Sequence, residues 1–125
     1  MEKILIIDDD SSFRLILSQM IAKAGLKSAV ARDGEEGLEM FRTGEYGLVI
    51  TDIIMPVMEG IETIMELRKL DPKVKIIAMS GGGQMVPEKY LNTALALKVN
   101  AVLKKPFSYN ELLKAIAFID QETIY

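Results

Sequence analysis

The chain has 125 residues, of which 50% are hydrophobic, so it can bury the core of one domain but is too short for a second folded module. The net charge of −3 excludes a general attraction to nucleic acid or to anionic membranes, and no direct contact with either is expected. Cysteine and histidine are absent, which excludes disulfides, thiol chemistry and an imidazole base from this chain.

The N-terminal residues show no secretory signal, and no apolar stretch approaches the roughly 20 residues that a membrane-spanning helix needs. We therefore expect a cytoplasmic protein with a single domain over residues 1–125. Short apolar runs alternate with segments of helical period along this domain, and no internal repeat or linker interrupts them.

The first apolar run, Ile4 to Ile7, predicts a strand, and a helix follows it. Ser11 or Ser12 can cap the start of this helix, Asp10 is also expected to act as a cap, and Gly25 can close its end. The apolar residues at helical spacing are Phe13, Ile16, Leu17, Met20 and Ala24.

Three helices are predicted in the middle of the chain. Asp33-Gly34 marks a turn into the second helix, which should direct Leu38 and Phe41 inward. The third helix runs from Gly60 to Leu70 and is stopped by Asp71-Pro72. Pro87 has the position of a first-turn proline and opens a fourth helix. This fourth helix is predicted to direct three side chains inward, those of Leu91, Ala94 and Leu95.

In the fifth helix Ser108 and Glu111 predict a capping box. The strand runs are apolar on both faces, which is typical of parallel strands covered by helices on either side. The alternation of five strands and five helices therefore predicts an α/β fold, a doubly wound five-stranded parallel sheet of the flavodoxin-like type. Its expected strand order is 2-1-3-4-5.

Four of the predicted strands end in polar residues of complementary kinds. Asp8-Asp9-Asp10 follows the first strand, Asp52 the third, Ser80 the fourth and Lys105 the fifth. Ligands of such sheets bind beyond the carboxyl ends of the strands. The strand order places the first and third strands side by side, so the acidic residues should meet at one edge of that crevice.

These residue types suit phosphoryl transfer. The acidic loop after the first strand repels a bare phosphate, but carboxylates bind a hard cation such as Mg²⁺, with Mn²⁺ as an alternative ion. Asp52 can act as a nucleophile that forms an aspartyl phosphate, and Lys105 and Ser80 can bind phosphoryl oxygens. Taken singly, each side chain also has an ordinary explanation as a helix cap or a solvated strand end. Their joint occurrence at four strand ends favours the functional interpretation.

On these residues the chain resembles a response-regulator receiver domain of two-component signalling, of the stand-alone, chemotaxis-regulator-like kind, over essentially all 125 residues. The resemblance implies that Asp52 is the phosphoacceptor, Ser80 the switch hydroxyl and Lys105 the phosphoryl-binding lysine. It also implies that Asp9 binds the metal directly and Asp8 largely through water. The backbone carbonyl of Ile54 would complete the metal site with Asp52.

The same resemblance implies two backbone features and a set of partners. The Lys105–Pro106 peptide bond should be cis, and Gly60 should supply a tight turn before the third helix. The chain would be a signalling phosphoacceptor and not an enzyme, and a sensor histidine kinase or a histidine phosphotransfer protein would phosphorylate it. A separate output protein or a second copy of the chain would then bind the face formed by the fourth helix, the fifth strand and the fifth helix.

The chain departs from the family pattern at three places. Val102 occupies a position of the fifth strand where many receivers carry an aromatic switch residue. The stretch from Gly81 to Val86 is longer and richer in glycine than is typical there, which favours mobility, while Gly81 itself leaves the site open to small phosphodonors as the family's small residue does. Ile54 and Gly82 stand where polar side chains can orient a hydrolytic water, so slow self-dephosphorylation is expected.

Three alternatives remain open from the sequence. The chain could be a phosphorelay intermediate and not a terminal regulator. A haloacid-dehalogenase-type phosphatase also uses an aspartyl nucleophile, but it needs a second acid two residues later, where this chain has Ile54. A passive interaction module would leave the acidic site unused.

Overall fold

The computed structural model describes residues 3–53, 60–81, 92–93 and 95–124, with the backbone alone for 121–124. Strands and helices alternate from residue 4 to residue 80, and a strand and a helix follow over residues 101–124. The strands are β1 (Ile4–Ile7), β2 (Ser28–Ala31), β3 (Leu48–Asp52), β4 (Lys75–Ser80) and β5 (Ala101–Lys104). The helices are α1 (Ser11–Lys23), α2 (Gly34–Thr43), α3 (Gly60–Leu70) and the C-terminal helix (Tyr109–Ile124).

All five strands are parallel and form one sheet of order β2-β1-β3-β4-β5, which confirms the predicted fold. The register places Ile7 of β1 opposite Thr51 of β3, and Asp52 opposite Met79 of β4. The carboxyl ends of the two central strands therefore lie side by side. None of the helices in the described part of the chain is long and apolar enough to cross a membrane.

Side chains of the sheet alternate between two hydrophobic cores, one on each face. Ile4 and Ile6 of β1 belong to the first core, which α1 and the C-terminal helix cover. Leu5 and Ile7 belong to the second core, which α2 and α3 cover. Both faces of β1 are fully buried, which explains why its sequence is a continuous apolar run and not an alternating one.

Asp10, and neither of the two serines, caps α1. Its Oδ1 accepts hydrogen bonds from the backbone N–H groups of Ser12 and Phe13 at 2.9 and 3.2 Å. The serines lie inside the helix, because a carboxylate one residue earlier already satisfies the free N–H groups of the first turn. The prediction for Gly25 is confirmed, since it adopts a φ of +80° just after the last turn. Ile16 is 47% exposed, so the apolar stripe of α1 is narrower than predicted.

The predicted boundaries of α2, α3 and the C-terminal helix agree with the structure. The Asp33 side chain accepts from the Glu36 N–H at 2.8 Å and caps α2. Ser108 and Glu111 form the predicted capping box, each accepting from the other's backbone N–H at 3.1 Å. The third helix has the predicted bounds, Gly60–Leu70.

The fourth predicted helix falls mainly outside the described residues, including Pro87, Leu91 and Ala94. The prediction that Leu95 faces inward is wrong, because this side chain is 59% exposed. Leu97 packs against the second core instead. Its N–H bonds to the carbonyl of Thr93 at 3.0 Å, so the helical path continues to this point. Residues two apart on a helix point to nearly opposite sides, which turns Leu95 outward.

Arg68 fixes the segment that leads into β5. Its guanidinium donates to the carbonyl oxygens of Leu97 at 3.1 Å and Lys98 at 2.7 Å. It also donates to the carbonyl oxygens of Val74 and Pro72. One side chain from α3 therefore ties together the start of β4 and the approach to β5.

Candidate functional site

Three carboxylates converge at the carboxyl ends of the two central strands. Asp8 and Asp9 follow β1 directly, and Asp52 is the last residue of β3. Each carboxylate offers an oxygen that lies within 4.8 Å of the oxygens of the other two. The expected meeting of these side chains at one edge of the crevice is thus present in the fold.

Asp8 is the most enclosed of the three acids, with no solvent exposure. Its Oδ1 accepts from the Asp10 N–H at 2.9 Å, and its Oδ2 accepts from the Lys105 ammonium at 2.5 Å. The guanidinium of Arg14 donates to the Asp8 backbone carbonyl at 2.7 Å. Asp8 is therefore held on its backbone and on both carboxylate oxygens, whereas Asp9 is exposed.

Asp52 is nearly buried at the end of β3. Its Oδ1 accepts from the Ile53 N–H at 3.0 Å, and its Oδ2 accepts from the Lys105 ammonium at 3.0 Å. Burial raises the pKa of Asp52 above its ordinary value, and the Asp8 charge acts in the same direction. The charge and hydrogen bond of Lys105 oppose this rise but do not cancel it.

Lys105 joins the ends of three strands. Its ammonium bridges Asp8 and Asp52, and its backbone N–H donates to the Ser80 carbonyl at 2.8 Å. Burial alone would lower the pKa of Lys105. The hydrogen bond to Asp8 and the charges of Asp52 and Asp8 outweigh that effect and raise the pKa, so the ammonium keeps its proton. The Lys105–Pro106 peptide bond is cis, as predicted.

Ser80 and Val102 lie on the neighbouring strands. Ser80 is the last residue of β4, is nearly buried and pairs with Lys104 of β5. Val102 pairs with Ala78 and is 37% exposed, so β5 presents an aliphatic and not an aromatic side chain at this position. Ile54, the predicted backbone metal ligand, lies outside the described residues, as does Gly82.

The family model of the response regulator receiver domain matches residues 4–117, which is most of the chain. The chain belongs to the receiver domain family. Among curated proteins, the chemotaxis protein CheY of Thermotoga maritima is 34% identical over 116 residues, covering 92% of this chain and 94% of that protein. The probable transcriptional regulator ycf27 of Guillardia theta is 36% identical, covering 98% of this chain and 46% of that protein.

Solved receiver structures have the same fold. A CheY-like receiver domain protein from Methanospirillum hungatei superposes with a TM-score of 0.88 at 28% identity, covering 100% of this chain and 99% of that one. The regulator TrrA of Thermotoga maritima, solved in complex with Mg²⁺–BeF, superposes with a TM-score of 0.80 at 30% identity. The match covers 94% of this chain and 97% of TrrA. The receiver domain thus spans nearly all of the CheY-type relatives, but about half the length of the transcriptional regulators that it matches.

The donor set of the receiver domain fits a small hard cation. Asp8, Asp9 and Asp52 supply oxygen atoms only, and Mg²⁺ prefers oxygen ligands and keeps part of its shell for water and phosphate. A single ammonium, that of Lys105, bridges two of these three carboxylates. The excess negative charge that remains favours a divalent ion over a bare phosphate anion.

Gly60 of the receiver domain lies against the backbone of the predicted phosphoacceptor. A Cβ added at this position would lie 1.8 Å from the Asp52 carbonyl oxygen and 2.5 Å from the Ile53 Cα. The Gly60 N–H donates to the Ile53 carbonyl at 2.7 Å, so the start of α3 is joined directly to the end of β3. The predicted tight turn falls on residues outside the described ones. Among the described residues, position 60 needs glycine because its Cα lies too close to the backbone of Asp52 and Ile53 to leave room for a Cβ.

The sequence interpretation missed two residues that touch the site. Phe13 was assigned to the core of α1, but the Lys105 ammonium lies 4.4 Å from the centroid of its ring. Arg14, which bonds the Asp8 carbonyl, was not singled out. Both lie in the first turn of the helix that follows the acidic loop, and that position was the available signal.

Proposed function

We propose that the receiver domain accepts a phosphoryl group on Asp52, in a Mg²⁺-dependent reaction, and that this changes its binding to a partner. The donor would be a phosphohistidine of a sensor histidine kinase or of a phosphotransfer protein. The observation that carries the proposal is the environment of the Asp52 carboxylate. It ends a central strand, belongs to a cluster of three acids and lies 3.0 Å from an ammonium that also holds Asp8.

The Asp52 carboxylate acts as the nucleophile. One of its oxygens attacks phosphorus, the P–N bond of the phosphohistidine breaks, and the electron pair of that bond goes to the imidazole nitrogen of the donor. The hydrogen bond from the Ile53 N–H fixes Oδ1 and with it the orientation of the carboxylate. The other oxygen faces Lys105.

Asp8, Asp9 and Asp52 would hold Mg²⁺ together with the Ile54 carbonyl, and the ion would neutralise charge on the phosphoryl oxygens. The Lys105 ammonium donates to a phosphoryl oxygen and stabilises the charge that the group carries during transfer. Ser80 ends the adjacent strand, from which its hydroxyl can donate to the aspartyl phosphate. Arg14 and the Asp10 N–H keep Asp8 in place while the Lys105 bonds are rearranged.

The partner would bind the surface formed by the fourth predicted helix, β5 and the C-terminal helix. Each of these elements exposes a large apolar side chain, namely Leu95, Val102 and Phe118. Phosphorylation replaces the single negative charge of the Asp52 carboxylate with the roughly two negative charges of an aspartyl phosphate, towards which the Ser80 hydroxyl would turn. Sedimentation of the chain alone, with and without phosphorylation, identifies the kind of partner. If the partner is a second copy, phosphorylation raises the sedimenting mass. If the partner is a separate output protein, the mass does not change.

The phosphoryl group should be long-lived. Ile54 and Gly82 offer no polar side chain to orient an attacking water. Replacing Ile54 by Asn would restore such a group and should shorten the lifetime. An aspartyl phosphate that decays within seconds in the unaltered chain would contradict this part of the proposal.

Incubation with acetyl phosphate, followed by intact-mass spectrometry over time with and without Mg²⁺, tests the proposal. We expect one phosphoryl group per chain, Mg²⁺ dependence, slow loss and no labelling of Asp52→Ala. Asp33→Asn is the matched control, since Asp33 also follows a strand at this edge but caps α2, a role that asparagine fulfils equally well, and its other oxygen forms only a long pair with the exposed Arg32, at 3.9 Å. Equal labelling of Asp52→Ala and the unaltered chain would refute the assignment.

A further inference from the structure

Phe13 contacts the site from the first turn of α1. The centroid of its ring lies 4.4 Å from the Nζ of Lys105. That ammonium also donates to Asp8 and Asp52, and the Lys105 side chain is only 11% exposed. An ammonium has three N–H donors, and two carboxylates account for two of them. The aromatic face therefore borders a cation that is largely shielded from water.

The ring of Phe13 is itself held by the core. It packs edge-to-face on Phe107 with a centroid separation of 5.5 Å and an interplanar angle of 79°. Phe107 is buried in the first core and follows Lys105 by only two residues. The ring therefore has a fixed orientation relative to the strand end that carries the lysine.

We propose that Phe13 is a positioning residue for Lys105 and keeps the ammonium at the site during phosphoryl transfer. The inference rests on the proposed function. In the resting state two carboxylates hold the ammonium, but its hydrogen bonds must pass to phosphoryl oxygens when a donor binds. The negative face of an aromatic ring attracts a cation without accepting one of those hydrogen bonds. Phe13 can thus hold the ammonium throughout the exchange.

Core packing alone is the competing explanation, because Phe13 lies on the same side of α1 as Leu17 and Met20. The two explanations differ in what they require of the ring. Packing requires an apolar side chain of similar volume, which leucine and fluorinated phenylalanines supply. Attraction to the ammonium requires electron density on the ring face, which fluorination removes in steps while the shape is nearly kept.

The first test compares Phe13→Leu with Phe41→Leu in the full chain. Phe41 is the matched control, since it also packs on an aromatic residue, Tyr46, but on the opposite core and away from the site. We expect Phe13→Leu to slow labelling by acetyl phosphate in Mg²⁺ by about twofold to thirtyfold, the range that cation–π contacts span. Phe41→Leu should leave the rate unchanged, and Phe13→Tyr should restore most of it.

The second test places mono-, di- and trifluorophenylalanine at position 13. The labelling rate should fall with each fluorine, and the Lys105 ε-proton resonances should lose the upfield shift that a ring face imposes. A rate independent of fluorination, or a Phe13→Leu rate equal to that of the unaltered chain, would overturn the proposal. If the unaltered chain takes no label, the proposed function fails. If it is labelled and the Phe13 variants match it, only the role of Phe13 fails.

Discussion

The Lys105 ammonium lies 3.0 Å from the Asp52 carboxylate, although 53 residues separate the two along the chain. It also lies 2.5 Å from Asp8, and its backbone N–H bonds to the end of β4. A single lysine, which itself follows β5, therefore joins the carboxyl ends of β1, β3 and β4. We therefore expect the stability of the site to depend on this side chain.

Replacing Lys105 by Met should destabilise the metal-free protein. The change leaves two buried carboxylates without their cation, which costs about 3 kcal/mol of unfolding free energy at neutral pH. Lys104→Met is the matched control, because Lys104 is the adjacent residue and is exposed. Its effect should stay within about 0.5 kcal/mol. Urea unfolding of both variants measures the difference, and equal effects would contradict the prediction.

Asp52→Asn should stabilise the metal-free protein at neutral pH. Because burial raises the pKa of Asp52 in the folded state, the folded protein binds more protons there than the unfolded chain does. Stability contributed by this group is then present at low pH and lost as the pH rises through the folded-state pKa.

The stabilisation by Asp52→Asn should therefore shrink as the pH falls towards 3.8, the ordinary pKa of aspartate. Urea unfolding with a chelator, at neutral pH and near that value, measures the trend. A variant that is less stable than the unaltered chain at neutral pH would show that ionised Asp52 is a net stabilising group.

Gly60→Ala should destabilise the protein and slow labelling of Asp52. The new Cβ would meet the backbone of Asp52 and Ile53, so β3 has to move, and we expect a loss of about 3 kcal/mol. Gly37→Ala is the matched control within a helix, where the three atoms nearest to the new Cβ all belong to the buried side chain of Ile7. Its cost should be about 1 kcal/mol, with the labelling rate unchanged. Similar labelling rates in both variants would contradict a special role for Gly60.

Much of the fold could be predicted because local and global signals agree. The β1 sequence is apolar on both faces, which indicates a buried parallel strand, and the spacing of Ser108 and Glu111 indicates the start of a helix. The inward prediction for Leu95 failed because apolar spacing near the end of a helix does not fix its rotation. The packing of Leu97 against the second core does so, and that contact involves residues distant in sequence.

The candidate site, like the fold, could be predicted only in part. Asp8, Asp52 and Lys105 could be found from the sequence, because parallel strand order alone brings their strand ends together. Phe13 and Gly60 could not be assigned their contacts in this way. The contact of the Phe13 ring with the Lys105 ammonium and the close approach of Gly60 to the Asp52 carbonyl depend on distances of a few ångströms. The periodicity of the sequence does not determine such distances.

Arg68→Lys should destabilise the protein far from the phosphoacceptor. Arg68 donates to four backbone carbonyls, and an ammonium cannot reproduce the planar arrangement of those donors. We expect a loss of about 2 kcal/mol in unfolding free energy. Arg42→Lys is the control, because among the described residues Arg42 forms only an exposed pair with Glu39, at 3.4 Å. Its effect should be below about 0.5 kcal/mol, and a comparable loss in both variants would contradict the prediction.

The position of the phosphoryl group in the chain tests the proposed role of Asp52 most directly. Borohydride reduces an aspartyl phosphate to homoserine, which marks the phosphorylated residue permanently for peptide sequencing by mass spectrometry. After labelling in Mg²⁺ and reduction, we expect homoserine at position 52 and unaltered aspartate at positions 8 and 9. Homoserine at either of those two positions, with Asp52 intact, would contradict that role.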